Sequence, residues 1–186
     1  MEQPPVLVSF SGLPGAGKST LAHLLAREMH ALWLRIDSIE QALRSSGVTP
    51  GPVDDAGYRA AHAVAQDNLR GGLSVVADCV NPWMLTRDAW RDLAQAAGAR
   101  LVEVEVVCSD AVEHRARVEH RRAEGPGLRL PDWAAVLARD YRAWTRPCFR
   151  IDTAHRLVED GLRDLHHAVS FSTAAAGAPP CPPARA

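Results

Sequence analysis

The chain has 186 residues, 47% of them hydrophobic and 23% charged, a length and balance that suit one globular domain whose core needs neither metal nor disulfide staples. A formal net charge of −1 offers no global attraction to long nucleic acid or to an anionic membrane surface, and no apolar stretch approaches the roughly 20 residues of a spanning helix. The N-terminus has no basic n-region and no apolar h-region, and Cys79, Cys108, Cys148 and Cys181 lie far apart with no C-x-x-C pair, so the expectation is a cytoplasmic protein with free thiols.

In chain order, residues 6–11 (VLVSFS) form an apolar run ending at a glycine-rich turn and are predicted as a buried strand, with a helix over 17–29. Residues 32–36 are predicted as a second strand, and Ser38 as the cap of a helix with Gln41 at capping-box spacing. A Pro/Gly loop at 47–55 leads to a helix over 56–70 that Gly71 and Gly72 stop, then a third strand over 73–77. Asn81 and Pro82 are predicted to cap and open a helix reaching about Gly98. A fourth strand spans 101–108, Asp110 and Glu113 cap a charged helix to about Arg122, and a Gly/Pro loop covers 124–130. A helix over 131–144, a short fifth strand over 148–151 and a last helix ending near Val169 complete the body. Residues 171–186 are Ala/Pro-rich and of low complexity, and are expected to be a disordered tail.

Strands separated by helical segments imply right-handed crossovers and a parallel sheet covered on both faces. Ligands then bind at the carboxyl ends of the strands. The glycine-rich turn, Asp37 and Asp78 all fall at such ends, so the sheet is expected to gather them into one cleft.

Gly12-Leu13-Pro14-Gly15-Ala16-Gly17-Lys18-Ser19 fits the phosphate-loop pattern G-x-x-x-x-G-K-[ST] between a strand and a helix, followed by Thr20. The glycines let successive N–H groups turn inward around a phosphate, and the helix N-terminus adds partial positive charge. Lys18, the one lysine among 21 basic residues, has the compact charge and long stem to reach β- and γ-phosphate oxygens. Ser19 offers a hydroxyl to Mg²⁺. A guanine-specific switch protein normally carries [NT]-K-x-D, which needs a second lysine, and the chain is too short for an AAA+ motor with its helical lid domain.

GLPGAGKST, RIDSI, VVADCVNPWMLTR, the arginine-rich HRARVEHRR and FRIDT together resemble the small P-loop kinase superfamily. Within it they look most like the AAA_33-type branch of gluconate kinases, chloramphenicol phosphotransferases and zeta toxins. The similarity covers about residues 6–169. It implies a three-layer α/β sandwich, a five-stranded parallel sheet with helices on both faces, and an arginine-rich lid at about 110–131 of a domain at 1–170. The activity it implies is transfer of the γ-phosphate of ATP, with Mg²⁺, to a hydroxyl of a small molecule.

The resemblance also distributes roles. Asp37 falls where this branch sets an acidic residue against the acceptor hydroxyl, and Asp78 where an acidic residue holds the Mg²⁺ shell through water. Arg117 and Arg121, four apart on one helix face, match lid arginines that neutralise the transferring phosphoryl group. Arg150, in RIDT, falls where the superfamily lays the adenine. Arg87 matches a recurrent arginine near the acceptor, with Trp83 and Tyr58 as an apolar wall. Trp90, Trp133 and Trp144 read as core, and His114, His120, His166 and His167 as surface residues. Two other readings fit the same motifs: a polynucleotide- or nucleotide-end kinase, which the near-neutral charge disfavours for long nucleic acid, and a non-catalytic ATP-binding switch.

Overall fold

The computed structural model describes residues 3–46, 55–121 and 130–171. The expected tail, the loop at 47–55 apart from Asp55, and the Gly/Pro loop at 124–130 apart from Leu130 lie outside the described residues. Strands β1 (Val6–Ser11), β2 (Leu32–Arg35), β3 (Val75–Asp78), β4 (Arg100–Val107) and β5 (Phe149–Asp152) form one five-stranded parallel sheet in the order β2-β3-β1-β4-β5. Every residue of β1 is buried, as a continuous apolar run in a doubly covered sheet requires. One face carries Val8, Phe10, Val102, Val104 and Ile151, packed on α1 (Lys18–Glu28) and α7 (Val158–Phe171). The other carries Leu7, Val75 and Ala77, packed on α3 (Ala56–Arg70) and α4 (Met84–Ala96). The chain passes from β1 to β2 on one side of it and from β3 across to β4 on the other, so the strand order reverses beside β1 and a crevice opens above its carboxyl end.

Three helices stop in the same way. The N–H of Leu73 bonds Asn68 O around Gly72 (φ +86°), and that of Ala99 bonds Ala94 O around Gly98 (φ +65°). At the end of α1 the same turn passes through His30 (φ +50°), with Ala31 bonding Ala26 O. These tight stops return the chain directly to the starts of β2, β3 and β4.

Three expectations are corrected. Helix α2 (Ile36–Ser45) has its cap position at Arg35, three residues earlier than the expected Ser38 cap. The β2–β3 ladder ends at Arg35 opposite Asp78, and the chain turns into helix at once with no side-chain cap, which puts Asp37 in the first turn. Asn81 does not cap α4; it is buried with φ +46°, its amide donating to Ser9 Oγ (3.0 Å) and Phe10 O (2.8 Å), and the helix starts at Met84.

The helix predicted over 131–144 reduces to α6 (Trp133–Leu137). Bonds to distant parts of the chain take the groups a longer helix would need. Arg142 N–H donates to Pro82 O (2.8 Å), and the carbonyls of Arg142 and Ala143 accept from Arg87. Trp133 and Trp144 are accordingly only half-buried.

Trp90 is fully buried between α3 and α4, edge-on to His62 with ring centroids 4.2 Å apart. Replacing it by Ala is expected to destabilise the fold by about 3–5 kcal/mol in urea unfolding, with Trp90→Phe costing much less. A Trp90→Ala chain within about 1 kcal/mol of wild type would contradict this packing.

Candidate functional site

The glycine-rich turn is wedged from two sides. A Cβ at Gly12 (φ +132°) would lie 2.1 Å from Val106 O of β4, and one at Gly15 (φ +85°) would lie 2.4 Å from Val118 of α5 (Ala111–His120). Gly17 (φ +96°) has room for a side chain but not the backbone for one, and it opens α1. His114 reaches from α5 to within 2.9 Å of Pro14 O. That contact buries it, against the expectation of a surface residue. Gly12, Leu13 and Ala16 form the back of the loop, while Pro14, Gly15, Gly17, Lys18, Ser19 and Thr20 face a cavity of about 510 Å³.

Lys18 is buried, with Nζ donating to Leu13 O at 2.8 Å. Burial lowers its pKa, against the opposing pull of Asp78 and Asp37. Asp78 is pushed the other way, raised by burial and held back by Lys18 and the Ser19 hydroxyl. Its Oδ2 is buried without a hydrogen-bond partner, 3.9 Å from Arg35 Nε. A hydroxyl and an incompletely satisfied carboxylate form a hard-oxygen donor set, which fits a magnesium ion that keeps most of its waters. Among the described residues no cluster of three or more His, Cys, Asp or Glu forms a separate metal site.

The cavity runs across the sheet's carboxyl edge. On the β2 side Arg35, Asp37, Glu40 and Arg44 line it, with Arg44 donating to Glu40 at 2.7 Å. Arg117 and Arg121 face it from above. Arg117 is braced rather than loose, donating to Thr153 Oγ1 (2.7 Å), Thr153 O (2.9 Å) and Glu113 Oε1 (2.6 Å). Arg115 points outward to Glu119. On the β5 side the lining comes from Thr153, Arg156, Leu157 and Val158. The arrangement can hold a long polyanion along α1's N-terminus, with a carboxylate, Asp37, at one end.

Four expected contacts do not line this cavity. Arg87 is fully buried, donating to Asn81 O (2.9 Å), Arg142 O (2.7 Å) and Ala143 O (3.3 Å), with its guanidinium 4.3 Å from the Trp144 ring centroid. Every edge of that group is taken, so none is left for a ligand. The Trp83 indole donates to Asp140 at the surface, and the Tyr58 hydroxyl accepts from Asn81 N–H. Arg150 points to the other sheet face, 3.7 Å from Glu105, beside a separate cavity of about 420 Å³ behind the loop. Conversely, Arg35, Arg44, Arg139 and Arg156 were missed. Arg44 lies seven residues after Asp37, two helical turns along the same face, and that spacing was a usable signal. Nothing in the local pattern marks Arg139 or Arg156.

The model of the AAA_33 family, an AAA domain, matches residues 7–142. The chain belongs to that family. An uncharacterized protein of Mycobacterium tuberculosis is 33% identical over 172 residues, covering 85% of this chain and 32% of that protein, so the chain spans about a third of this relative's length. A probable adenylyl-sulfate kinase of Pseudomonas aeruginosa is 23% identical, covering 89% of this chain and 77% of that one. The solved APS kinase of Mycobacterium tuberculosis in complex with AMPPNP and APS superposes with a TM-score of 0.64 at 20% identity, covering 91% and 99%. The fold is that of the small P-loop kinases. No helix among the described residues is long and apolar enough to cross a membrane.

The base of α5 gives a pH test. Asp110 accepts from Glu113 N–H (2.8 Å), Glu113 accepts from His155 N–H (2.9 Å), and these bonds hold both carboxyls below their ordinary range. A lowered folded-state pKa adds stability that is present above the ordinary carboxylate range and is lost as pH falls through the folded value. Stability of the wild type should therefore fall more steeply below about pH 4.5 than that of Glu113→Gln. Equal slopes in acid-dependent urea unfolding would contradict the assignment.

Proposed function

We propose that the chain is an ATP- and Mg²⁺-dependent kinase that moves the γ-phosphate of ATP to a hydroxyl of a small molecule. The observation that carries this reading is one cavity with the phosphate loop at its centre, Asp37 on one side and Arg117 and Arg121 above. The kinase name of the Pseudomonas relative supports the same class.

In this reading the purine lies on the β5 side against Leu157 and Val158, exposed apolar side chains on the cavity wall. The triphosphate runs over the loop amides to Lys18, whose ammonium exchanges Leu13 O for β- and γ-oxygens. Ser19, and Asp78 through water, would hold magnesium, which supplies charge neutralisation at those oxygens. Asp37 accepts the hydrogen bond of the acceptor hydroxyl and orients its oxygen toward the γ-phosphorus. The new O–P bond forms as the bond to the β–γ bridging oxygen breaks, ADP leaves with that electron pair, and the proton passes to Asp37. Arg117 and Arg121 meet the charge spread over the equatorial oxygens. Free buried thiols at Cys79, Cys108 and Cys148 suit a reducing compartment such as the cytoplasm.

Lys18→Ala should abolish ADP release in the presence of an accepted hydroxyl compound. Asp37→Asn should leave ATP affinity nearly unchanged and slow transfer by about 10²–10⁴-fold. Normal turnover in Asp37→Asn would remove that carboxylate from the mechanism. ATP binding with no acceptor-dependent ADP release across a broad panel would favour the non-catalytic switch.

A further inference from the structure

We propose that the acceptor carries an anionic group besides its hydroxyl, seated against Arg139 and Arg35 at the end of the cavity away from the purine; this rests on the kinase reading above. The sheet order fixes the direction, because β2 and β5 are opposite edges and the phosphate loop follows the central strand. A purine on the β5 side and phosphates over β1 leave the β2 and β3 side for the acceptor.

Charge along the cavity is uneven. In a chain of net charge −1 its lining holds seven cationic side chains against four carboxylates. Lys18, Arg117 and Arg121 surround the position of the triphosphate. Arg156 is answered by Asp164 at 2.9 Å, and Arg44 by Glu40 at 2.7 Å. Arg35 approaches Asp78, which Lys18 already shares. Arg139 remains: its guanidinium makes no hydrogen bond or ion pair with the described residues, yet it lines the cavity. A surplus of positive charge in a cleft concentrates anions there, and a guanidinium fork matches the paired oxygens of a carboxylate, sulfate or phosphate ester.

Arg139 is exposed, but the chain that follows it is held in place. The segment that follows it is tied down by Trp83 Nε1 donating to Asp140 (3.2 Å), by Arg142 N–H donating to Pro82 O (2.8 Å), and by Arg87 gripping two successive carbonyls. These bonds hold its backbone beside the turn after β3. Buried Arg87 thus holds the segment that follows Arg139 without lining the cavity. Asp37 sets the orientation, since its carboxylate repels the anion and accepts from the hydroxyl, so a bound acceptor presents its hydroxyl to Asp37 and its anion to Arg139.

Two measurements on the full chain test this. In the first, inorganic sulfate is titrated with Mg²⁺ and a non-hydrolysable ATP analogue filling the phosphate loop. One sulfate should bind beside the analogue, about tenfold or more weakly in Arg139→Ala and less affected in Arg139→Lys, with analogue affinity unchanged. No such sulfate, or affinity indifferent to Arg139→Ala, would overturn the inference and leave the kinase reading intact. In the second, ADP release is followed with matched alcohols differing only in a neutral, carboxylate, sulfate or phosphate group, which also separates the three anion chemistries. Anionic members should turn over, and Arg139→Ala should raise their KM with little change in kcat. Turnover of neutral members alone overturns the inference only. No turnover of any member overturns the kinase reading and, with it, the acceptor assignment.

Discussion

A loop of backbone amides held open by its neighbours is the constraint on which the rest of the molecule depends. Gly12 sits against the carbonyl of Val106 and Gly15 against Val118 and His114, so β4 and α5 press the loop into a shape that no side chain at those positions would allow. Preorganisation of this kind spares the cost of arranging dipoles when a polyanion arrives. It also explains the burial of Lys18. An ammonium out of water is costly, and here it is offset by the Leu13 carbonyl and by Asp78 and Asp37. The site therefore stores a cation whose partners are incomplete, a state that phosphate oxygens relieve.

The far side of the cavity is organised differently. Where the phosphate loop relies on glycine backbone, the segment after α6 relies on arginine. Arg87 binds the carbonyls of Asn81, Arg142 and Ala143, while Arg146 pairs with Glu103 and Asp88. Glu105, nearly buried in β4, accepts from the Tyr141 hydroxyl and faces Arg150. This polar stitching fastens a stretch with little regular structure over the edge of the sheet. Its consequence is that the two ends of the cavity are built independently. One is fixed by a glycine-rich loop contiguous in sequence, the other by side-chain bonds between segments remote in sequence.

That difference explains what could be read in advance. The five strands, the phosphate loop and the placement of Asp37 and Asp78 at strand ends were legible, because the apolar run of β1 and the glycine spacing of the loop are local features of the sequence, even though β4 and α5 complete the loop's shape. The helix expected over 131–144 was not, since backbone groups past Leu137 bond to Pro82 and Arg87, both remote in sequence. Resemblance assigns Arg87 and Arg150 to ligand contacts, yet Arg87 is satisfied within the protein and Arg150 lies beside a separate cavity, 3.7 Å from Glu105. His114 reads as a surface histidine until α5 is laid across the loop. Arg139 enters the cavity only through that same non-local stitching.

The central claim is that the loop and its buried ammonium grip a nucleoside triphosphate. Calorimetric titration of MgATP into the wild-type chain at millimolar magnesium tests it most directly. The account predicts saturable heat with one site per chain, lost when the triphosphate is replaced by the bare nucleoside. Absence of binding for every purine nucleoside triphosphate would contradict it.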